Sequence, residues 1–303
     1  MRFAISIPQH VGADGFDAES FRNYVARAEE LGFESGWTQE QILGPGNALS
    51  PLETMTYAAA CCERMRLGCA VFVLALHSPL HLAKAISSLD CVSHGRLEVG
   101  LVAGGPARPF LAFGVDPSTF VARFNEALEL MRRCWTEPEI TFAGRFWQLE
   151  SATMTPKPVQ KPHPAIWLGG NHPAAVRRAV RRADGFFGAG SQTTDSFATQ
   201  VQVAREELSS QGRDPASFRI AKRVYIHVDE NRDQAREQME AALTRHYGRA
   251  GLGPVAVTGP PDECVAGLRE VQAAGAELIQ LNTMVAEADQ LERLAAEVVP
   301  QLA

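Results

Sequence analysis

The chain has 303 residues, with 29 Lys+Arg against 35 Asp+Glu and a net charge of −6. Hydrophobic residues make up 46%, charged residues 21% and aromatics 8%, a composition that excludes general disorder; the acidic balance argues against nucleic acid or an anionic membrane as partner. Six cysteines without a CxxC pair exclude zinc-like spacing and read as reduced, mostly buried thiols.

The first ten residues, MRFAISIPQH, are too short an apolar stretch for a signal sequence, and no apolar run long enough for a membrane span follows. A cytoplasmic protein is expected. From there the pattern alternates β-type and helical runs. Residues 2–8 are strand-like, and 17–31 form a helix with Phe21, Val25, Ala28 and Leu31 on one face, closed by Gly32. Residues 33–38 make a second strand. Ser50-Pro51 opens a helix running to about Glu63. LGCAVFVL (67–74) is nearly all apolar, as a parallel strand buried on both faces should be. Pro79 opens the next helix, residues 96–104 form strand four, and the helix that follows carries the stripe Phe120, Phe124, Ala127, Leu128, Met131 and Trp135.

Residues 136–164 interrupt the rhythm. Ile140–Phe142 and Arg145–Leu149, around Ala143-Gly144, predict a hairpin, and prolines 156, 158, 162 and 164 an extended connection. Strands at 165–169, 184–189, 219–228 and 278–282 then alternate with helices at 172–182, 194–210, 231–247, 261–274 and 287–298. Eight strands alternating with helices predict an α/β fold, a (β/α)8 TIM barrel over 1–303, with an insertion at about 136–164 between the fourth helix and fifth strand. A doubly wound sheet competes, but no GxGxxG follows the first strand.

In such a barrel the strands' C-terminal ends carry the active site. Here those ends hold Gln9 and His10, Gln39, Glu40 and Gln41, His77, Gly104 and Gly105, Gly169 to His172, and Gly190 to Gln192. The set contains no metal-ligand spacing and no nucleophile elbow. His77 and His81 are four apart without an evident third ligand. Glycines recur at three strand ends, where backbone can approach a ligand closely. Gly169-Gly170-Asn171-His172 opening a helix reads equally as a phosphate cradle or an ordinary strand-to-helix turn. A large cofactor bringing its own reactivity would explain both the glycines and the missing catalytic groups.

Several segments together resemble the bacterial luciferase-like family, particularly its coenzyme F420-dependent oxidoreductases. They include AEELGFESGW (28–37), RMRLGCAV (64–71), LAKAISSLDCVSHGRLEVG (82–100), FGVD (113–116), RFNEALELMRRCW (123–135), HPAIWLGG (163–170), RRADGF (181–186) and 257–281. The resemblance implies a barrel with its insertion near the mouth and a deazaflavin or flavin across the top. It implies a non-prolyl cis peptide at Ala70-Val71, beside Phe72, supporting the ring; Gly104 at the cofactor; Gly169, Gly170, Asn171 and His172 at the cofactor tail; and Gly190 and Ser191 at a second phosphate-side contact. Arg123 matches an arginine at the flavin phosphate of some members, or else pairs with Glu126.

Two departures stand out. Where many F420-dependent members place an Asp-His pair, this chain has Glu40 and Gln41, the candidate catalytic residues. Glutamine cannot titrate, which disfavours alcohol oxidation by a histidine base. After Gly104, Pro106 and Arg108-Pro109 replace a segment that often carries an acid. The implied function is hydride transfer between coenzyme F420 and a small organic molecule, with reduction of an activated double bond or imine favoured. An FMN-dependent monooxygenase and a non-catalytic flavin- or deazaflavin-binding protein are the alternatives, and a homodimer is the expected assembly.

Overall fold

The structure, a computed structural model, describes residues 1–12, 15–44, 46–105 and 108–302; Pro106 lies outside them. Eight parallel strands close a barrel, in the order β1 (Arg2–Ser6), β2 (Ser35–Thr38), β3 (Arg66–Val73), β4 (Leu97–Val102), β7 (Ala165–Gly169), β8 (Gly185–Gly188), β9 (Arg219–Val228) and β11 (Leu278–Asn282), which pairs back with β1. This is the predicted TIM barrel. Around it lie α1 (Ala18–Glu30), α2 (Pro51–Ala59), α3 (Pro79–Val92), α4 (Phe120–Thr136), α5 (Pro173–Arg182), α6 (Thr194–Ser210), α7 (Arg232–Tyr247), α8 (Pro261–Ala273) and α9 (Glu287–Arg293).

The strand pattern explains the closure. Leu67, Cys69 and Phe72 of β3, and Ile279 and Leu281 of β11, face outward into the core shared with the helices. Their neighbours Ala70 and Leu278 face the lumen. Strands buried on both faces need apolar residues at nearly every position, which is why they read as continuous runs.

Two excursions depart from simple alternation. The first is the antiparallel hairpin of β5 (Ile140–Ala143) and β6 (Gln148–Ala152). Its second strand starts later than the pattern predicts, because the Glu126 carboxylate on α4 accepts the N–H groups of Arg145, Phe146 and Trp147 at 3.0, 2.8 and 2.9 Å. Those residues form the turn. Arg123 lies over the faces of Phe146 and Trp147, 5.0 and 4.7 Å from their centroids. The insertion runs along the flanks of α3 and α4, where Ser87 donates to the Pro156 carbonyl and the Asp90 carboxylate accepts from Gln160.

The second excursion follows β9, whose last residues, 226–228, pair with the short β10 (Val257–Gly259) outside the barrel. The end of α7 reaches the mouth. There the His246 ring lies 6.1 Å from that of His10, and the Tyr247 hydroxyl 2.8 Å from that of Tyr225. The six cysteines are free, four of them buried.

Candidate active site

The lower lumen is an aromatic plug. Trp37, Trp167 and Phe187 pack together with centroid separations of 4.7 to 6.2 Å, among Ala4, Ala70, Ala221 and Leu278. Room comes from glycine: a Cβ at Gly68 would lie 2.5 Å from Trp37, and one at Gly185 2.5 Å from Trp167. Both indole N–H groups are used, donating to Ser35 Oγ and to the Glu98 carboxylate. Glu98 in turn accepts from Arg66 at 2.5 Å.

Above the plug the lumen becomes polar. Arg223 Nη1 donates to Gln39 Oε1 at 2.6 Å and to the Ala70 carbonyl at 3.1 Å. Gln39 Nε2 donates to Asn282 Oδ1 at 2.9 Å, and Gln280 Nε2 to the same oxygen at 3.4 Å. The Gln39 backbone is gripped from β1: its N–H donates to Gln9 Oε1 at 2.6 Å and its carbonyl accepts from Gln9 Nε2 at 3.0 Å. Within this ring, Arg223 Nε and Gln280 Oε1 are buried with no hydrogen-bond partner. Buried polar atoms are rarely left without a partner in a complete structure.

Several of the expected cofactor residues meet here. The Ala70-Val71 peptide is cis, and the register of β3 against β4 shifts between Cys69 and Phe72. Gly100 permits that bulge, since a Cβ there would lie 2.2 Å from the Cys69 carbonyl oxygen. Gly169 abuts it: a Cβ would meet Val71 at 3.7 Å. Gly190 closes the other side, where a Cβ would sit 2.8 Å from both Arg223 Nε and Tyr225. Ala70, Val71, Gly169 and Gly190 thus border the polar ring.

The remaining candidates lie apart from it. Phe72 faces outward into the core between barrel and helices. Gly104, at φ +96°, packs against Val73 and Phe110. Glu40 is committed to the end of β3, accepting the Val73 N–H at 2.7 Å while its other oxygen lies 2.6 Å from His77 Nε2. The Gln41 amide tucks under Gly44 and Gly46 and reaches the His246 carbonyl at 3.5 Å.

At the tail segment, Gly170 has φ +142°, and Asn171 and His172 are exposed. His172 caps α5, its Nδ1 accepting the Ala174 N–H at 3.1 Å and its carbonyl the Ala175 N–H at 2.8 Å. Pro173 has no N–H, so the first turn of α5 keeps none for an anion. Any cradle here rests on the backbone of Gly170 and Asn171. Ser191 sits in a loop held by Lys222, whose Nζ donates to the carbonyls of Ala189 and Gln192. Burial first, then Arg223, pulls the Lys222 pKa down to about 7.

Burial, then Arg223 and His10, lowers His246 to about 4, while burial and Arg245 lower His10. Arg223, Gln280 and Asn282 escape a search for motifs, because they are isolated polar positions on strands and form no spaced motif. The readable signal for Arg223 is the Lys222-Arg223 pair at the centre of the strand 219–228. Among the described residues no group of three His, Cys, Asp or Glu side chains is arranged to hold a metal ion.

Known proteins share this architecture. The monooxygenase RslO1 of Streptomyces bottropensis superposes over 100% of both chains with a TM-score of 0.86 and 26% identity. An F420-dependent glucose-6-phosphate dehydrogenase of Kineococcus radiotolerans is 30% identical over 234 residues, 74% of this chain and 68% of that protein. The FMNH2-dependent dimethylsulfone monooxygenase of Pseudomonas putida is 26% identical over 236 residues, 76% of this chain and 64% of that protein. The family model for luciferase-like monooxygenases matches residues 1–254, and the chain belongs to that family.

Proposed function

We propose that the protein is an oxidoreductase that transfers a hydride between coenzyme F420 and a small organic molecule, with an activated double bond or imine as the favoured substrate group. The observation that carries this reading is the pair of unfilled polar atoms, Arg223 Nε and Gln280 Oε1, in a buried ring bordered by Val71, Gly169 and Gly190. Donors, acceptors and close backbone are what a planar, polar-edged ring system requires, and the residues fit a deazaflavin or flavin. A bound deazaflavin supplies a two-electron hydride carrier.

The chain's own part is binding and charge. Arg223 places a fixed positive charge in the ring, favouring a ligand that gains negative charge on reduction. Gln39 and Asn282 hold its guanidinium in place through the Arg223–Gln39–Asn282 chain of hydrogen bonds. Glu40 acts as a positioning residue, fixing the end of β3 beyond the bulge. Gln41 cannot titrate and His246 is a weak base at about 4, so neither serves as the base that alcohol oxidation needs.

F420 absorbance followed with cyclic enones and with secondary alcohols tests this. Oxidation of the reduced cofactor by enones is expected; turnover confined to alcohols would overturn the preference. A second reading, oxygen-dependent chemistry with reduced FMN, draws on the similarity to RslO1 and the dimethylsulfone monooxygenase. Oxygen uptake that depends on FMN and an added substrate would establish it instead.

A further inference from the structure

Beside the mouth, between the loop after β1, the first turns of α1 and the start of α9, lies a cavity of about 420 Å3. Gln9 and His10 form part of its wall, together with Phe16, Phe21 and Tyr24. Glu287, in the first turn of α9, contributes its carboxyl. That carboxyl has no hydrogen-bond partner among the described residues, and burial alone raises its pKa to about 7. The other polar groups are committed. Asp17 accepts the N–H groups of Glu19 and Ser20, each at 3.0 Å, and the Ser20 hydroxyl at 2.6 Å. Tyr24 donates to the Ser6 carbonyl at 3.0 Å. No lysine or arginine lines the cavity among the described residues.

We propose that this cavity is a binding site for an organic ammonium ion, with Glu287 taking the charge and Phe16, Phe21 and Tyr24 enclosing the carbon skeleton. A half-buried carboxylate facing an apolar wall without a counter-charge is disfavoured, and a cation that pairs with it recovers that cost. Aromatic faces add attraction for an ammonium group; Phe16 and Phe21 stand 5.5 Å apart, and Phe16 is 45% exposed at the cavity's edge. A metal ion would need more ligands than this wall offers, since no three-ligand group exists among the described residues. An ammonium needs only one carboxylate and an apolar wall.

The charge state of the wall has a definite pH dependence. Asp17 is held below the usual carboxylate range by its hydrogen bonds from Ser20. His10 is lowered by burial and by Arg245, and Tyr24 is raised by burial and by Glu287. Glu287 becomes ionised as pH rises through about 7. Affinity for an amine that stays protonated should rise about tenfold between about pH 6 and 8.

The proposal stands apart from the hydride-transfer reading, and the test separates the two. Phenethylammonium and its uncharged counterpart 2-phenylethanol are titrated calorimetrically into the wild type, Glu287→Gln and Phe16→Ala at pH 8, with F420 and FMN titrated in parallel. The wild type should bind phenethylammonium at least about tenfold more tightly than the alcohol. Glu287→Gln should abolish that preference, and Phe16→Ala should weaken both ligands. Cofactor affinity should match the wild type in Glu287→Gln. Equal binding of amine and alcohol by the wild type, no amine binding at millimolar concentration, or an amine preference unchanged in Glu287→Gln would each overturn the proposal. Absence of cofactor binding in every protein would count against the hydride-transfer reading alone.

Discussion

The two halves of the barrel lumen are built on opposite principles. Below, Trp37, Trp167 and Phe187 fill the space completely, and glycines 68 and 185 are shaped around them. Above, Gln39, Arg223, Gln280 and Asn282 form a hydrogen-bonded ring that leaves Arg223 Nε and Gln280 Oε1 unfilled. β2 with the residue that follows it, β9 and β11 contribute to both, through Trp37, Ala221 and Leu278 below and Gln39, Arg223, Gln280 and Asn282 above. The plug answers a stability requirement, whereas the ring leaves buried polar atoms without partners, at a cost in stability. A fold that needed only stability would continue the plug upward.

The comparison can be broken from below. Trp167→Ala removes one of the plug's two indoles and with it the donor to Glu98. It should cost about 3–5 kcal/mol of stability, read as a lowered midpoint in urea unfolding. A loss under about 1 kcal/mol would show that the lower lumen is not a packed core.

From above, the sign of one pH effect sharpens it. Lys222, adjacent to Arg223, is buried with its pKa pulled down to about 7, against an ordinary value near 10.4. Between those values the unfolded chain binds more protons than the folded one, so stability rises with pH over that window and is flat below it. The rise in urea midpoint between about pH 7 and 10 should be smaller in Lys222→Met than in the wild type. Equal slopes in the two proteins would show that Lys222 folds with its ordinary pKa.

The smallest expected effect lies outside the lumen. Glu126→Gln weakens the anchor of the hairpin turn, three N–H groups on one carboxylate. It should cost about 1–2 kcal/mol and speed proteolysis at residues 144–147, with cofactor affinity unchanged. A fall in cofactor affinity would tie the insertion to the site.

How much of this was readable follows from the same contrast. The barrel strands were legible because burial on both faces forces apolar residues at nearly every position, as in LGCAVFVL. The cis Ala70-Val71 peptide was implied by family resemblance rather than by any local pattern. The polar ring is not legible in the sequence, because Gln9 and Gln39 follow two strands, Arg223 and Asn282 lie on two others, and they acquire meaning only when the barrel closes. The hairpin's late second strand depended on Glu126, a helix residue about twenty positions earlier. Glu40 and Gln41 stand together in the sequence as candidate catalytic residues, yet the end of the strand sends them to different neighbours, His77 and the loop at Gly44 and Gly46.

The central claim is that the upper ring binds a deazaflavin or flavin through Arg223. Fluorescence titration of F420 and of FMN into the wild type and Arg223→Met, with urea unfolding of both proteins, tests it most directly. The account predicts that the wild type binds F420 more tightly than FMN. It also predicts that Arg223→Met loses at least about tenfold in affinity, about 1.4 kcal/mol, while its unfolding midpoint stays close to that of the wild type. Equal cofactor affinity in the two proteins, with the fold intact, would contradict it.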